Sequence, residues 1–250
     1  MGSKLRIKSA LGLLTVSLLI TLVTKTAAAT PNVEYKSFAV FVASYNSHTG
    51  EARGGVAGTA FFTSPTQGLT AYHVLQASSF LPQAGFEISQ VWLVHEGEPA
   101  IELFTSDVHF DANKDLTWIH LGAGKKISAQ LVFPIAQEAQ PQVVQNVHTE
   151  GFLANSIGPM LARKGRRLVI TSIPQLSRLH AEGFLIQKSK VELRSSDVNL
   201  KTTACLELSY QPVVGLSGGP VISNGQVIAM NSFADPRTRT ETWAVDFAHP

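Results

Sequence analysis

The sequence predicts an all-β protein, and three features of it carry that expectation. Its apolar stretches are short, rich in Val, Ile, Phe and Thr, and punctuated by Gly, Pro, Asn or Ser, which is how strands and turns alternate. Few of these stretches persist at helical spacing long enough to make a surface helix. Near the C-terminus, Asn224-Gly225 separates two apolar runs; both residues tolerate positive φ, so the pair marks a tight hairpin. Roughly 220 residues remain after the leader described next, enough to bury a core as one large β domain or two smaller packed units.

Taken in order, residues 1–29 are expected to be a signal peptide. Lys4, Arg6 and Lys8 precede an apolar run from Ala10 to Val23, broken only by Thr15, Ser17 and Thr21, and small residues follow at Ala27 and Ala29. The run is short for a membrane span, so the mature chain is placed near Thr30, exported to a periplasm or secreted, with no stable membrane insertion after cleavage. An uncleaved anchor is the alternative. Beyond the leader stand sixteen Lys and Arg against eighteen Asp and Glu, a net charge of −2. That balance calls for neither nucleic acid nor an anionic membrane. The densest basic cluster, residues 163–167, reads as a solvated loop.

Strands are expected over Ser37 to Ser44, Ala57 to Thr63, Ile88 to His95, Ala100 to Phe104 and Leu116 to Leu121. A short helical turn is plausible over Tyr72 to Gln76. After the polar break at 122–130 the strand pattern restarts with Leu131 to Ile135, Val143 to His148, Leu168 to Ile173, Phe184 to Gln187 and Thr202 to Leu208. It closes with Gly219 to Ser223, Gln226 to Met230 and Trp243 to Phe247. The break divides the mature chain into 30–125 and 126–250. Cys205 is the sole cysteine and cannot pair within the chain; its apolar surroundings predict a buried, inert thiol. No cofactor is expected, and no metal, since neither H-E-x-x-H nor a close His/Cys pair occurs.

Chemistry points to Gly215-Leu216-Ser217-Gly218-Gly219-Pro220. A serine is a weak nucleophile that needs a base, a group to orient the base, and N–H donors aimed at the developing oxyanion. Glycines on both sides of Ser217 leave the backbone open where such donors would point. The stretch also fits the G-x-S-x-G nucleophile elbow, but that motif requires a following helix and then an acid and a histidine; Pro220 and the few residues left rule against it. His73 closes the small-residue stretch Gly68-Leu69-Thr70-Ala71-Tyr72, where a rigid strand end would hold a base. Asp115 precedes the apolar run Leu116 to Leu121 as candidate acid, with Asp111 and Asp107 as alternatives. Taken singly, His73 could be a core histidine and Asp115 a turn residue.

Together, "TAFFTSPTQGLTAYHVL", "DLTWIHL" and "GLSGGPVI", in the order His, Asp, Ser, resemble the trypsin-like (chymotrypsin-fold) serine peptidases, closest to the bacterial HtrA/Deg-like branch. Trp243-Ala244-Val245-Asp246-Phe247-Ala248 is similar to that branch's closing strand. The resemblance spans about residues 55 to 248. It implies two packed antiparallel six-stranded β-barrels, with His73 and Asp115 from the first and Ser217 from the second. It further implies a polypeptide substrate, an acyl-enzyme, and an oxyanion hole from the N–H groups of Gly215 and Ser217. Departures are informative. Leu216 replaces the acidic residue that receives the new N-terminus in digestive relatives, so that activation pair is not expected. Gln211 takes the position that floors the specificity pocket, implying a neutral or small apolar preference rather than cleavage after Lys or Arg. With the sequence closing at Pro250, the PDZ domain usual in the branch is not expected. A catalytically silent binding module or adhesin on the same fold is the alternative.

Overall fold

The computed structural model describes residues 35–81, 85–86, 88–136, 141–154, 160–165, 167–173, 176–194, 199–234 and 242–247. The predicted signal peptide lies outside them. Among the described residues the regular structure is strand, with short 3-10 turns and no helix long and apolar enough to cross a membrane.

The first half contains β1 (Phe38–Tyr45), β2 (Ala52–Phe62), β3 (Gln67–Ala71), β4 (Ile88–Val94), β5 (Ile101–Leu103), β6 (Val108–Asp111) and β7 (Leu116–His120). They form one antiparallel sheet in the order β5-β4-β1-β2-β3-β7-β6. Its two edge strands are consecutive in the chain, so the sheet has to roll until its edges approach. Residues 101–111 pair with β4 over their first part and with β7 over their second, turning between through a 3-10 turn at Thr105–Asp107. Counted as one strand that changes partner at a corner, they reduce the seven strands to the six expected. Asp107 holds the corner. It is buried, and its carboxylate accepts from Phe104 N–H (2.8 Å), Gly122 N–H (3.3 Å) and Lys125 Nζ (2.7 Å).

The second half contains β8 (Asn146–Phe152), β9 (Met160–Lys164), β10 (Arg167–Ser172), β11 (Arg178–Arg194), β12 (Asn199–Leu208), β13 (Pro220–Ser223), β14 (Gln226–Ala234) and β15 (Thr242–Val245). Six of them close a barrel in the order β11-β12-β15-β14-β13-β8. As the Asn-Gly pair predicts, β13 and β14 form a hairpin with Asn224 and Gly225 both at positive φ. Ile222, Val227 and Met230 from this barrel join Phe38, Phe61, Phe62 and Leu69 of the first sheet in one apolar core. A second core inside the barrel gathers Leu185, Leu206, Leu208, Val221 and Ala229.

The strand β1 is buried on both faces, which explains its near-continuous apolar run. Phe38 and Val40 enter the shared core, while Ala39, Phe41 and Ala43 pack outward beneath Leu168, with Leu161 and Ile170 at its margin. These last residues belong to the β9–β10 hairpin, an excursion from the barrel that covers the first sheet. The basic cluster is the tip of this hairpin. Arg163 donates to Tyr45 Oη (3.2 Å) and stacks on its ring, and Arg167 pairs with Glu102. Arg167 is largely exposed, and exposed pairs contribute about 0–1 kcal/mol. Burying Leu168 alone is worth about 1.5–3 kcal/mol, so apolar contact holds the hairpin and the charges orient it.

Three expectations need correction. Leu131 to Ile135 is no strand: a 3-10 turn at Ala129–Leu131 leads to isolated bridges at Val132 and Ile135, because Pro134 has no N–H to give a ladder. The strand expected over Phe184 to Gln187 extends to Arg178–Arg194; in its outer parts single apolar residues alternate with charged ones, and Ala181 and Val191 pack against the barrel's apolar clusters. The described residues of the basic cluster, 163–165 and 167, are solvent-exposed as expected but end the β9–β10 hairpin rather than forming a loop.

Candidate active site

Strand register brings the base and the acid together. Because Ala71 at the end of β3 opposes Leu116 at the start of β7, the residues just beyond each strand become neighbours. Tyr72 N–H donates to Asp115 O (3.1 Å), and His73 N–H donates to Asp115 Oδ1 (2.9 Å). The His73 ring then lies with Nδ1 at 2.9 Å from Asp115 Oδ2 and 3.1 Å from Oδ1. A carboxylate only accepts, so Nδ1 carries the proton and Nε2 is left as the basic nitrogen. The chain after His73 turns away through a single helical turn, with Leu75 N–H bonded to Ala71 O (3.2 Å).

Asp115 is completely buried and sits at φ 51°, a left-handed conformation uncommon outside glycine. Its strain is compensated by the bonds just named and by Ser232, whose hydroxyl donates to Oδ2. The turn before it is held by the barrel: Asn113 O accepts from Lys201 N–H (2.9 Å) and Thr203 Oγ1 (3.1 Å). The alternatives to Asp115 lie elsewhere. Asp107 holds the sheet corner; burial opposes its ionisation, but the Lys125 ammonium and the Phe104 and Gly122 N–H groups outweigh that and keep its carboxyl below the usual range. Asp111 ends β6 and accepts from Asn113 N–H (3.2 Å).

Ser217 lies on the turn between β12 and β13. Two positive-φ glycines flank it, Gly215 at 108° and Gly218 at 82°. A Cβ on Gly218 would stand 2.1 Å from Thr59 O, and one on Gly215 would stand 2.0 Å from Phe152 O. No other residue fits either place. The turn is anchored to β14 by Gly218 N–H to Asn231 O (2.8 Å) and Asn231 N–H to Gly219 O (2.9 Å). Ser217 Oγ donates to Ser232 O (3.2 Å). Ser232 thus touches both ends of the candidate triad, by its carbonyl at Ser217 and its hydroxyl at Asp115. The N–H groups of Gly215 and Ser217 donate to no other backbone group among the described residues.

Ser217 lines a pocket of about 40 Å³, walled by Val213, Leu216, Phe233 and Ala234, with Asn231, Ser232 and Thr242 as its other polar members. Such a volume holds little beyond a water or a methyl group. Gln211, which the resemblance puts at the floor of the specificity pocket, is exposed and does not line this cavity: the chain passes from Tyr210 to the surface, and the other polar members come from β14 and β15. Behind the pocket, Tyr210 Oη donates to Asn231 Oδ1 (2.5 Å), and Asn231 Nδ2 donates to Thr149 Oγ1 (2.6 Å). Burial pushes the Tyr210 hydroxyl well above its ordinary pKa, so it stays a neutral donor. A larger cavity, about 650 Å³, lies between Trp92 and the β9–β10 hairpin and involves none of these residues. Cys205 is buried, and burial together with Asp246 and Asp115 pushes its thiol up to about 12, as expected of an inert cysteine.

Sequence reading did not find Ser232 or Asn231. The signal was present: a polar pair inside a strand, Gln226–Ala234, whose neighbours are buried and apolar. Buried polar groups in such a place must be paired, which singles them out.

No family model matches the chain, and no curated protein does. Solved structures do. The active form of the Rv3671c protease from M. tuberculosis is 16% identical with a TM-score of 0.50, over 84% of this chain and 76% of that one. The inactive form is 17% identical with the same score, over 83% and 82%. A variant of the HtrA-type protease AlgW with a tripeptide is 12% identical with a TM-score of 0.51, over 84% of this chain and 56% of that one. The chain has the chymotrypsin-like fold of the HtrA-type serine proteases.

Proposed function

We propose that the chain is an exported serine endopeptidase that hydrolyses polypeptides through His73, Asp115 and Ser217. The observation that carries this reading is the Asp115 carboxylate, fully buried and bonded to both the backbone N–H and the Nδ1 of His73. A buried carboxylate so placed fixes the imidazole tautomer and stabilises the imidazolium without itself taking the proton. Ser217 Oγ attacks the scissile carbonyl carbon while its proton passes to His73 Nε2. The oxyanion is met by the N–H groups of Gly215 and Ser217. Nε2 then gives the proton to the leaving amine, the C–N bond breaks, and the acyl group remains on Ser217. Water, deprotonated by the same nitrogen, releases the acid. The pocket beside Ser217 supports a small apolar side chain at the cleaved residue. Export rests on the leader sequence.

One observation favours a second reading, a silent binding module: Ser217 Oγ is bonded to Ser232 O. Attack requires that hydroxyl to rotate toward Nε2. Labelling the purified chain with a fluorophosphonate, beside Ser217→Ala and His73→Ala, separates the two. The expected outcome is a single adduct by intact mass, lost in both variants. A folded chain that takes no adduct across a range of pH overturns the peptidase reading.

A further inference from the structure

We propose that the Thr59 hydroxyl is a positioning group for the oxyanion hole, by which the first sheet sets the hole that the barrel provides. This rests on the peptidase reading above.

Thr59 is fully buried on β2, yet each of its polar groups is engaged, and most point across to the nucleophile turn. Its Oγ1 donates to Gly215 O (2.7 Å) and accepts from Phe152 N–H (3.1 Å). Its N–H donates to Ser217 O (2.9 Å), and its own carbonyl accepts from Thr70 Oγ1 (2.7 Å). The carbonyls of Gly215 and Ser217, the two residues whose N–H groups form the proposed hole, are therefore both held by one residue of the other half. Gly215 at φ 108° has wide conformational freedom, so its orientation is set from outside. The preceding peptide is fixed from the barrel side, where Val214 O accepts from Ala154 N–H (3.2 Å). Since C=O and N–H of a trans peptide point in opposite directions, that bond aims the Gly215 N–H away from Ala154. Thr59 holds the next peptide by its oxygen. Between them these contacts leave the Gly215 N–H little freedom to turn.

Only the hydroxyl can be removed without touching the backbone bond. Thr59→Val keeps the shape and the strand preference but deletes the donor to Gly215 O and the acceptor for Phe152 N–H. Thr59→Ser restores both. A third variant displaces the hydroxyl from outside: a Cβ on Gly151 would meet Thr59 Oγ1 at 2.6 Å and, less closely, Leu216 Cδ2 at 3.1 Å, so Gly151→Ala presses first on the hydroxyl while leaving residue 59 intact, the Leu216 methyl having only a few tenths of an ångström to give.

The test is steady-state cleavage of a short chromogenic peptide by the purified chain and the three variants, with thermal melting of each. Losing an oxyanion donor outright costs about 10²–10³ in kcat; a misaligned donor is expected to cost about tenfold or more in kcat, with KM within about twofold, as fits a group acting only in the transition state. Thr59→Ser should return kcat to near the wild-type value, and Gly151→Ala should lower it like Thr59→Val. Should Thr59→Val fail to fold, Gly151→Ala carries the test. Wild-type kcat in the folded Thr59→Val chain, or equal losses in kcat and in substrate binding that Thr59→Ser does not repair, overturns the proposal while leaving the peptidase reading intact. A wild-type chain that neither cleaves peptide nor takes a fluorophosphonate overturns both.

Discussion

In the first sheet the proposed acid and base are fixed by strand register. Ala71 opposes Leu116, and the next residues on each side are bonded to one another before any substrate arrives. In the barrel the proposed nucleophile, Ser217, lies on a turn flanked by Gly215 and Gly218, and its hydroxyl rests on a carbonyl of its own half. Charge explains the contrast. A buried carboxylate without partners is very costly, so Asp115 has to be surrounded at all times. A neutral serine hydroxyl can satisfy itself with one carbonyl and exchange partners during a turnover. One half therefore stores its geometry in backbone pairing, and the other keeps a movable atom on a held frame.

The sharpest way to break this comparison is to spoil the rigid side. Asp115→Asn preserves shape but replaces an acceptor that fixes the Nδ1–H tautomer. Loss of about 10⁴ in kcat is expected, on the scale for that exchange in a Ser-His-Asp triad, with the variant still folded by circular dichroism. A loss below about tenfold would make Asp115 a turn residue with a structural duty only.

How much of this was legible in the sequence differs between the halves for the same reason. His73, Asp115 and Ser217 stand at the ends of apolar runs, where a polar residue is conspicuous. Ser232 stands inside such a run, and only the shared contact with Asp115 and Ser217 reveals its part. Thr59 is hidden likewise: a threonine in a strand is ordinary, and its partners are 93 and 156 residues away. The β13–β14 hairpin was readable because its turn needs particular residues. The corner at Thr105–Asp107 was not, since a strand that changes partners keeps its local pattern. Gln211 lies at the surface, and position along a motif does not say which way the chain passes.

Stability offers a second, smaller contrast. In the first sheet, Asp107 ties the corner to Lys125 and to two backbone N–H groups. Asp107→Asn should lower stability by about 1.5–3 kcal/mol at neutral pH, the range for hydrogen bonds to charged groups, or several degrees in Tm for a chain of this size. The carboxyl is held below its ordinary value, so its contribution is present above about pH 4 and is lost as pH falls through the lower folded value. Melting wild type and variant at neutral pH and again near pH 3 should therefore show the gap shrinking on acidification. A gap that does not change with pH would mean that packing at the corner, not the carboxylate, is what the substitution removes.

The barrel should feel acid earlier, and through a different residue. His148 on β8 lies across from Glu182 on β11, with the His180 ring 5.6 Å away centroid to centroid. Burial and then the neighbouring His180 push its imidazole below the usual value, and Glu150 and Glu182 only partly offset them. The folded chain therefore keeps His148 neutral at a pH where the unfolded chain would protonate it. A depressed value means stability that is present above the unfolded pKa, about 6.5, and is lost as pH falls through the folded one. His148→Gln, which keeps a polar side chain but cannot titrate, should remove the part of the acid-induced drop in Tm that sets in below about pH 6.5. Because the site is only partly buried, the effect should stay below about 1 kcal/mol, and Asp107→Asn should leave this window untouched. If both variants altered the same pH window, the two halves would not titrate separately, and acid sensitivity would belong to the shared core that joins them.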